Sequence, residues 1–130
     1  MSQMTNYLEN ALVNHVLRNT ALTSPTTVYL ALYDASPTDT GTGGTEITGT
    51  GYSRQSVTFT APTNGSTSNS STLSFTNGSG GNWTIAAVGI MDASSGGNML
   101  FHGTLTGGSK TVADGDTITF NAGDLDITLA

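Results

Sequence analysis

From Val28 onward the apolar residues recur at every second position, in short runs separated by glycine, asparagine and serine. Side chains of an extended strand alternate between two faces, so this period marks strands, and its frequent interruption keeps them short. In VYLALY (Val28–Tyr33), Val28, Leu30 and Leu32 share one face and Tyr29, Ala31 and Tyr33 the other. Apolar on both faces, this run predicts a central or helix-covered strand. Gln55, Val57 and Phe59 alternate with Ser56, Thr58 and Thr60, which predicts a half-buried strand, and Leu73 with Phe75 a short one. Trp83–Ala93 (WTIAAVGIMDA) predicts one long central strand, turned by Ser94–Gly97 into Met99–Thr106. Ile118 and Phe120, then Asn121–Gly123, then Leu125, Ile127 and Leu129, predict a closing hairpin. Pro62–Ser71 (PTNGSTSNSS) is low-complexity turn material. Residues 38–51 carry no sustained pattern. They predict a long flexible loop and, since such loops are uncommon without a task, an interaction arm around Thr42, Gly44, Glu46 and Ile47.

The stretch before Pro25 follows a different period. Asn6, Asn10, Asn14 and Arg18 recur every four residues and form one polar stripe of a helix over about residues 5–18. Asn6 and Glu9 have capping-box-like spacing, and Asn19 is a plausible stop. Tyr7, Leu8, Ala11, Leu12, Val13, Val16 and Leu17 occupy most of the remaining circumference, wider than the stripe one sheet covers. The helix therefore calls for contact on two sides, its own sheet and a neighbouring subunit. These seven residues form the expected subunit interface. The whole reads as one mainly β domain, residues 1–130: an antiparallel sandwich or flattened barrel over about 26–130 with the helix packed on it.

Only 9% of residues are charged, against about 25% in typical soluble domains. Serine and threonine fill the gap at roughly three in ten residues. Such a surface carries little of the charge repulsion that keeps monomers apart. The net charge of −6 rests on nine carboxylates against Arg18, Arg54 and Lys110. Three scattered cations do not neutralise a phosphate backbone or hold an anionic membrane, so no nucleic-acid or membrane partner is expected. No cysteine is present, which removes disulfides and thiolate chemistry. No basic segment or continuous apolar run opens the chain, and no run approaches the length of a membrane-spanning helix, so synthesis and use on the cytoplasmic side, or release from there by lysis, are expected.

Motifs for chemistry are sparse. His15 lies on the helix and His102 in a strand, and neither is accompanied by a nucleophile motif, so structural roles are expected for both. Asp114, Asp116, Asp124 and Asp126 cluster in DGDTITFNAGDLD, where calcium ligation or paired-acid hydrolysis is conceivable, but the spacing fits no EF-hand and reads more simply as turns. Asn-x-Ser/Thr triplets begin at Asn64, Asn69, Asn77 and Asn82, as expected from composition alone. No catalytic residue, metal or cofactor is assigned.

The segments NYLENALVNHVLRNT and TVYLALYDASPTD, then GYSRQSVTF (Gly51–Phe59), VGIMDASSGGNMLFHGTLT (Val88–Thr106) and DGDTITFNAGDLDITL (Asp114–Leu129), resemble in order the blocks of small virion proteins of tailed bacteriophages. That family includes tail-fibre-like proteins and the capsid cement, or decoration, proteins of cyanobacterial phages. The resemblance implies a non-enzymatic homotrimer on the outside of the particle, partnered by the major capsid protein or by tail proteins. Small size and the absence of a fibrous repeat favour the capsid; a tail or fibre component is the alternative, and a carbohydrate-binding β-domain a more distant one.

Overall fold

The computed structural model describes residues 3–129. Its largest element is a five-stranded antiparallel sheet in the order β1-β8-β7-β2-β3. These strands are β1 (Gln3–Met4), β2 (Val28–Tyr33), β3 (Gln55–Val57), β7 (Ala87–Met91) and β8 (Met99–Thr104). Three antiparallel pairs lie against it: β4 (Ser66–Ser68) with β11 (Asp126–Thr128), β5 (Leu73–Thr76) with β10 (Thr117–Phe120), and β6 (Trp83–Ile85) with β9 (Lys110–Val112). The result is mainly β and sandwich-like, with one helix near the N-terminus.

The alternation read from sequence sorts the residues between layers. Leu30, Leu32, Val57, Val88 and Ile90 of the large sheet meet Leu73, Phe75, Trp83, Ile85, Val112, Ile118, Phe120, Leu125 and Ile127 of the strand pairs in one buried cluster. The Phe75 and Phe120 rings cross edge to face at 6.3 Å, an arrangement favoured by the ring quadrupoles. The second face of β2 carries Tyr29, Ala31 and Tyr33, which join Ala87, Met91 and Met99 in a separate cluster. β2 is thus apolar on both faces because both are covered.

Two strand expectations are corrected. Trp83–Ala93 is not one strand. It breaks at Ala86, whose amide donates to Tyr33 O while its carbonyl accepts from Leu105 N, and the chain crosses there from the β6–β9 pair into the large sheet. Nor do Ile118–Phe120 and Leu125–Leu129 form a hairpin with each other: β10 pairs with β5 and β11 with β4. Between them the buried side chain of Asn69 satisfies the turn. Its Oδ1 accepts from Gly123 N and Leu125 N, and its Nδ2 donates to Asn121 O and Ser71 O.

Helix α1 spans Asn6–Leu17. Its cap is Thr5, one residue ahead of Asn6. The Thr5 hydroxyl accepts from Leu8 N and donates to Met99 O at 2.6 Å, which fixes the helix start to β8. Asn19 takes the left-handed conformation (φ 55°) that ends the helix, as the sequence led us to expect.

Candidate functional site

The helix is held by its first half only. Leu8 is buried and Ala11 and Leu12 half-buried, whereas Val13, Val16 and Leu17 are 53%, 72% and 76% exposed. Tyr7 is exposed on another side of the helix, and of the asparagine stripe Asn6 and Asn10 face water while Asn14 is half-buried. At positions i, i+3 and i+4, Val13, Val16 and Leu17 form one ridge along the outer side of the last turns. Nearly all residues from Val16 to Thr27 are exposed as well, so this tip and its return face solvent.

The segment expected to be a long flexible loop and interaction arm is bonded to its surroundings at several points. Residues 38–51 contain no regular strand, yet they are tied down repeatedly. Asp39 O accepts from Asn6 N, Thr45 N donates to Asp34 Oδ1, and Ile47 N donates to Leu32 O. Pro37 is fully buried, and the Cα of Gly41 leaves room for Met99 beneath it, so this stretch roofs the second face of the large sheet. Thr42 and Gly44 are exposed, but Glu46 is half-buried and Ile47 belongs to the core. Irregular sequence here records a roof that follows an uneven surface, rather than a free loop.

Glu46 anchors a polar knot that sequence reasoning missed. Arg54 grips its carboxylate with Nε and a terminal nitrogen, both at 2.9 Å, and its other terminal nitrogen donates to Ala93 O and Gly96 O. Tyr52 donates to the same carboxylate at 2.5 Å and accepts from Leu32 N. The knot joins the roof, the turn between β7 and β8, and the core beneath. The only signal was one arginine eight residues after a glutamate. Burial alone would raise the Glu46 carboxyl, but the hydrogen bonds from Arg54 and Tyr52 outweigh it and hold the group below the ordinary carboxylate value. Burial and the bond to Glu46 push the Tyr52 phenol well above its own.

A carboxyl whose folded pKa is lowered stabilises the fold above its unfolded value, about 4.3, and that contribution is lost as pH falls through the folded value. The Glu46→Gln variant should therefore be less stable than the parent near neutrality, with the gap closing as pH falls from about 5 toward 3. Urea midpoints of both proteins across this range check it; a gap independent of pH would contradict the ion-pair account.

The remaining titratable groups are dispersed. His102 is buried, with Nε2 2.9 Å from Asp39 Oδ1, which pins the roof to β8. His15 Nδ1 accepts from Leu22 N and holds the return after the helix. Asp114 Oδ1 accepts from Gly80 N and Asp124 Oδ2 from Asn121 N, so these two aspartates of DGDTITFNAGDLD serve separate turns, while Asp126 opens strand β11. Among the described residues no three His, Cys, Asp or Glu side chains converge as a metal site. Of the four Asn-x-Ser/Thr triplets, Asn69 and Asn77 are buried structural bridges. Asn77 Nδ2 donates to Gly81 O and Val112 O, and its Oδ1 accepts from Ser79.

The geometry thus comprises a sandwich with internally satisfied polar knots and one exposed apolar helix tip. No helix among the described residues is long and apolar enough to cross a membrane. The chain matches no curated protein. Over residues 3–128 it matches the family described as Podophage GP4 fiber I protein gp80, and it therefore belongs to that family of tailed-phage fibre proteins.

Proposed function

We propose that this chain is a non-enzymatic, self-associating subunit on the exterior of a tailed-phage particle, acting as a homotrimer within a tail-borne fibre assembly. The observation that carries the reading is the ridge of Val13, Val16 and Leu17, three large apolar side chains more than half exposed at the helix tip. Isolated helices of this length are marginal in water, so a tip held only at its root gains order from a partner. The charge-poor, hydroxyl-rich surface opposes such contact weakly. The family description, a fibre protein, favours the tail side. The second reading, a cement protein seated on the major capsid protein, is favoured by the short sandwich itself, which contains no fibrous repeat. In either seat several weak contacts held together by one trimer add up through effective concentration, without any chemistry.

Light scattering coupled to size exclusion tests the association. The parent should elute with about three times the 13.2 kDa chain mass, and Val16→Glu combined with Leu17→Glu should elute as a folded monomer. A parent that stays monomeric at micromolar concentration contradicts the proposal.

A further inference from the structure

The tetrapeptide Thr-Asn-Gly-Ser occurs twice in the chain, at Thr63–Ser66 and at Thr76–Ser79. Identical in sequence, the two are opposite in setting. Asn77 is fully buried; its Nδ2 donates to Gly81 O and Val112 O, and its Oδ1 accepts from the amide and hydroxyl of Ser79. Asn64 and Gly65 are exposed, at the two left-handed positions (φ 51° and 78°) of a turn closed by reciprocal main-chain bonds between Thr63 and Ser66. Among the described residues no hydrogen bond holds the Asn64 carboxamide or the Gly65 N–H.

We infer that Asn64 is a site of spontaneous deamidation, a modification from which the matching Asn77 is protected by burial. Asparagine is thermolabile because its carboxamide carbon lies within ring-closing reach of the next main-chain nitrogen. Once solvent base removes its proton, Gly65 N bonds to Asn64 Cγ. The Cγ–Nδ2 bond then breaks, and ammonia leaves with a proton taken from solvent. Water opens the resulting succinimide at either carbonyl, giving aspartate or iso-aspartate. The net change is gain of water and loss of ammonia, with no oxidation or reduction. Glycine leaves its nitrogen open to this attack, having no side chain to crowd it. A bulkier residue there would slow the reaction, but a Cβ on Gly65 would lie 2.9 Å from Leu129 O, so the turn is committed to glycine. Ring closure requires rotation of the Asn64 backbone, which an exposed turn permits by local opening; at Asn77 the same rotation would break four buried hydrogen bonds. Either product adds a carboxylate to a chain in which only 9% of residues are charged. Iso-aspartate also inserts a methylene into the main chain between Thr63 and Ser66, which disturbs their reciprocal bonds.

The full-length protein, folded and in urea, is incubated in warm, mildly alkaline buffer, and each Asn-Gly step is followed by peptide mass spectrometry. Folded protein should show the mass gain of amide-to-acid conversion at Asn64, divided between aspartate and iso-aspartate, at least about tenfold faster than at Asn77. In urea the two sites should convert at similar rates, because their local sequences are the same. An Asn64 that stays intact in the folded protein, or equal folded rates at the two sites, would overturn the assignment.

Discussion

Replacing Asn69 by alanine is expected to cost about 4 kcal/mol, among the largest effects of any single substitution in this chain. The side chain is 1% exposed and makes four hydrogen bonds, to Ser71 O, Asn121 O, Gly123 N and Leu125 N. Truncation leaves Ser71 O and Leu125 N without that partner, while Gly123 N keeps its bond to Asn69 O and Asn121 O its bond from Asp124 N, and a buried unpaired group costs about 1–3 kcal/mol. Water entering the gap would recover part of this. The connection from β10 to β11 would also lose the side chain that ties it to the Ser71 segment. Thermal unfolding should shift down by on the order of 10–15 °C. Asn82→Ala is the control: Asn82 is exposed and begins the same kind of triplet, and its loss should change stability by less than about 0.5 kcal/mol. Similar losses at both positions would contradict the bridging role of Asn69.

Gly51→Ala is expected to be almost as damaging, at about 3 kcal/mol. Gly51 has φ +91°, outside the range that L side chains adopt readily, and an added Cβ would lie 2.1 Å from Thr76 O. Backbone on both sides leaves nothing flexible to yield. The close approach lets Gly78 N donate to Thr50 O and delivers Tyr52 against Phe75, with ring centroids 6.0 Å apart. Relieving the clash would therefore pull Tyr52 away from Glu46 and loosen the Arg54 knot. Gly81→Ala, where an added Cβ meets nothing within 4 Å and no unusual φ is required, should be tolerated. Chemical denaturation of the two variants distinguishes the sites, and a tolerated Gly51→Ala would show that the approach is not needed.

Local pattern carried much of this fold. The four-residue recurrence of Asn6, Asn10, Asn14 and Arg18 located α1, and Asn19 ended it where its left-handed φ appears. Apolar residues on both faces of Val28–Tyr33 correctly signalled a strand covered twice. Pairing was harder to read, because it depends on contacts remote in sequence. Nothing in WTIAAVGIMDA marks Ala86 as the crossing between sheets, since both halves are equally apolar. The segment Pro62–Ser71 concealed β4 and a turn at Asn64–Gly65, with φ 51° and 78° and Thr63 bridged to Ser66. Asn-Gly between alternating residues was the available signal, but threonine and serine in place of valine hid the strand.

The exposed apolar ridge of α1 was legible in part. An apolar excess on α1 was visible, but which residues the sheet would cover depends on the Thr5 anchor, and that anchor is a contact across the chain with Met99. The roof over residues 38–51 misled for the opposite reason. Its residues look free, while the groups that bind Thr45, Ile47 and Glu46, namely Asp34, Leu32 and Arg54, lie on other segments.

The most direct test of the account is an electron cryo-microscopy map of the intact particle. The account predicts copies of this sandwich on the particle's exterior, grouped in threes, with Val13, Val16 and Leu17 of each copy covered by protein. Single, separated copies whose helix tips face solvent, or a particle exterior without this fold, would contradict it.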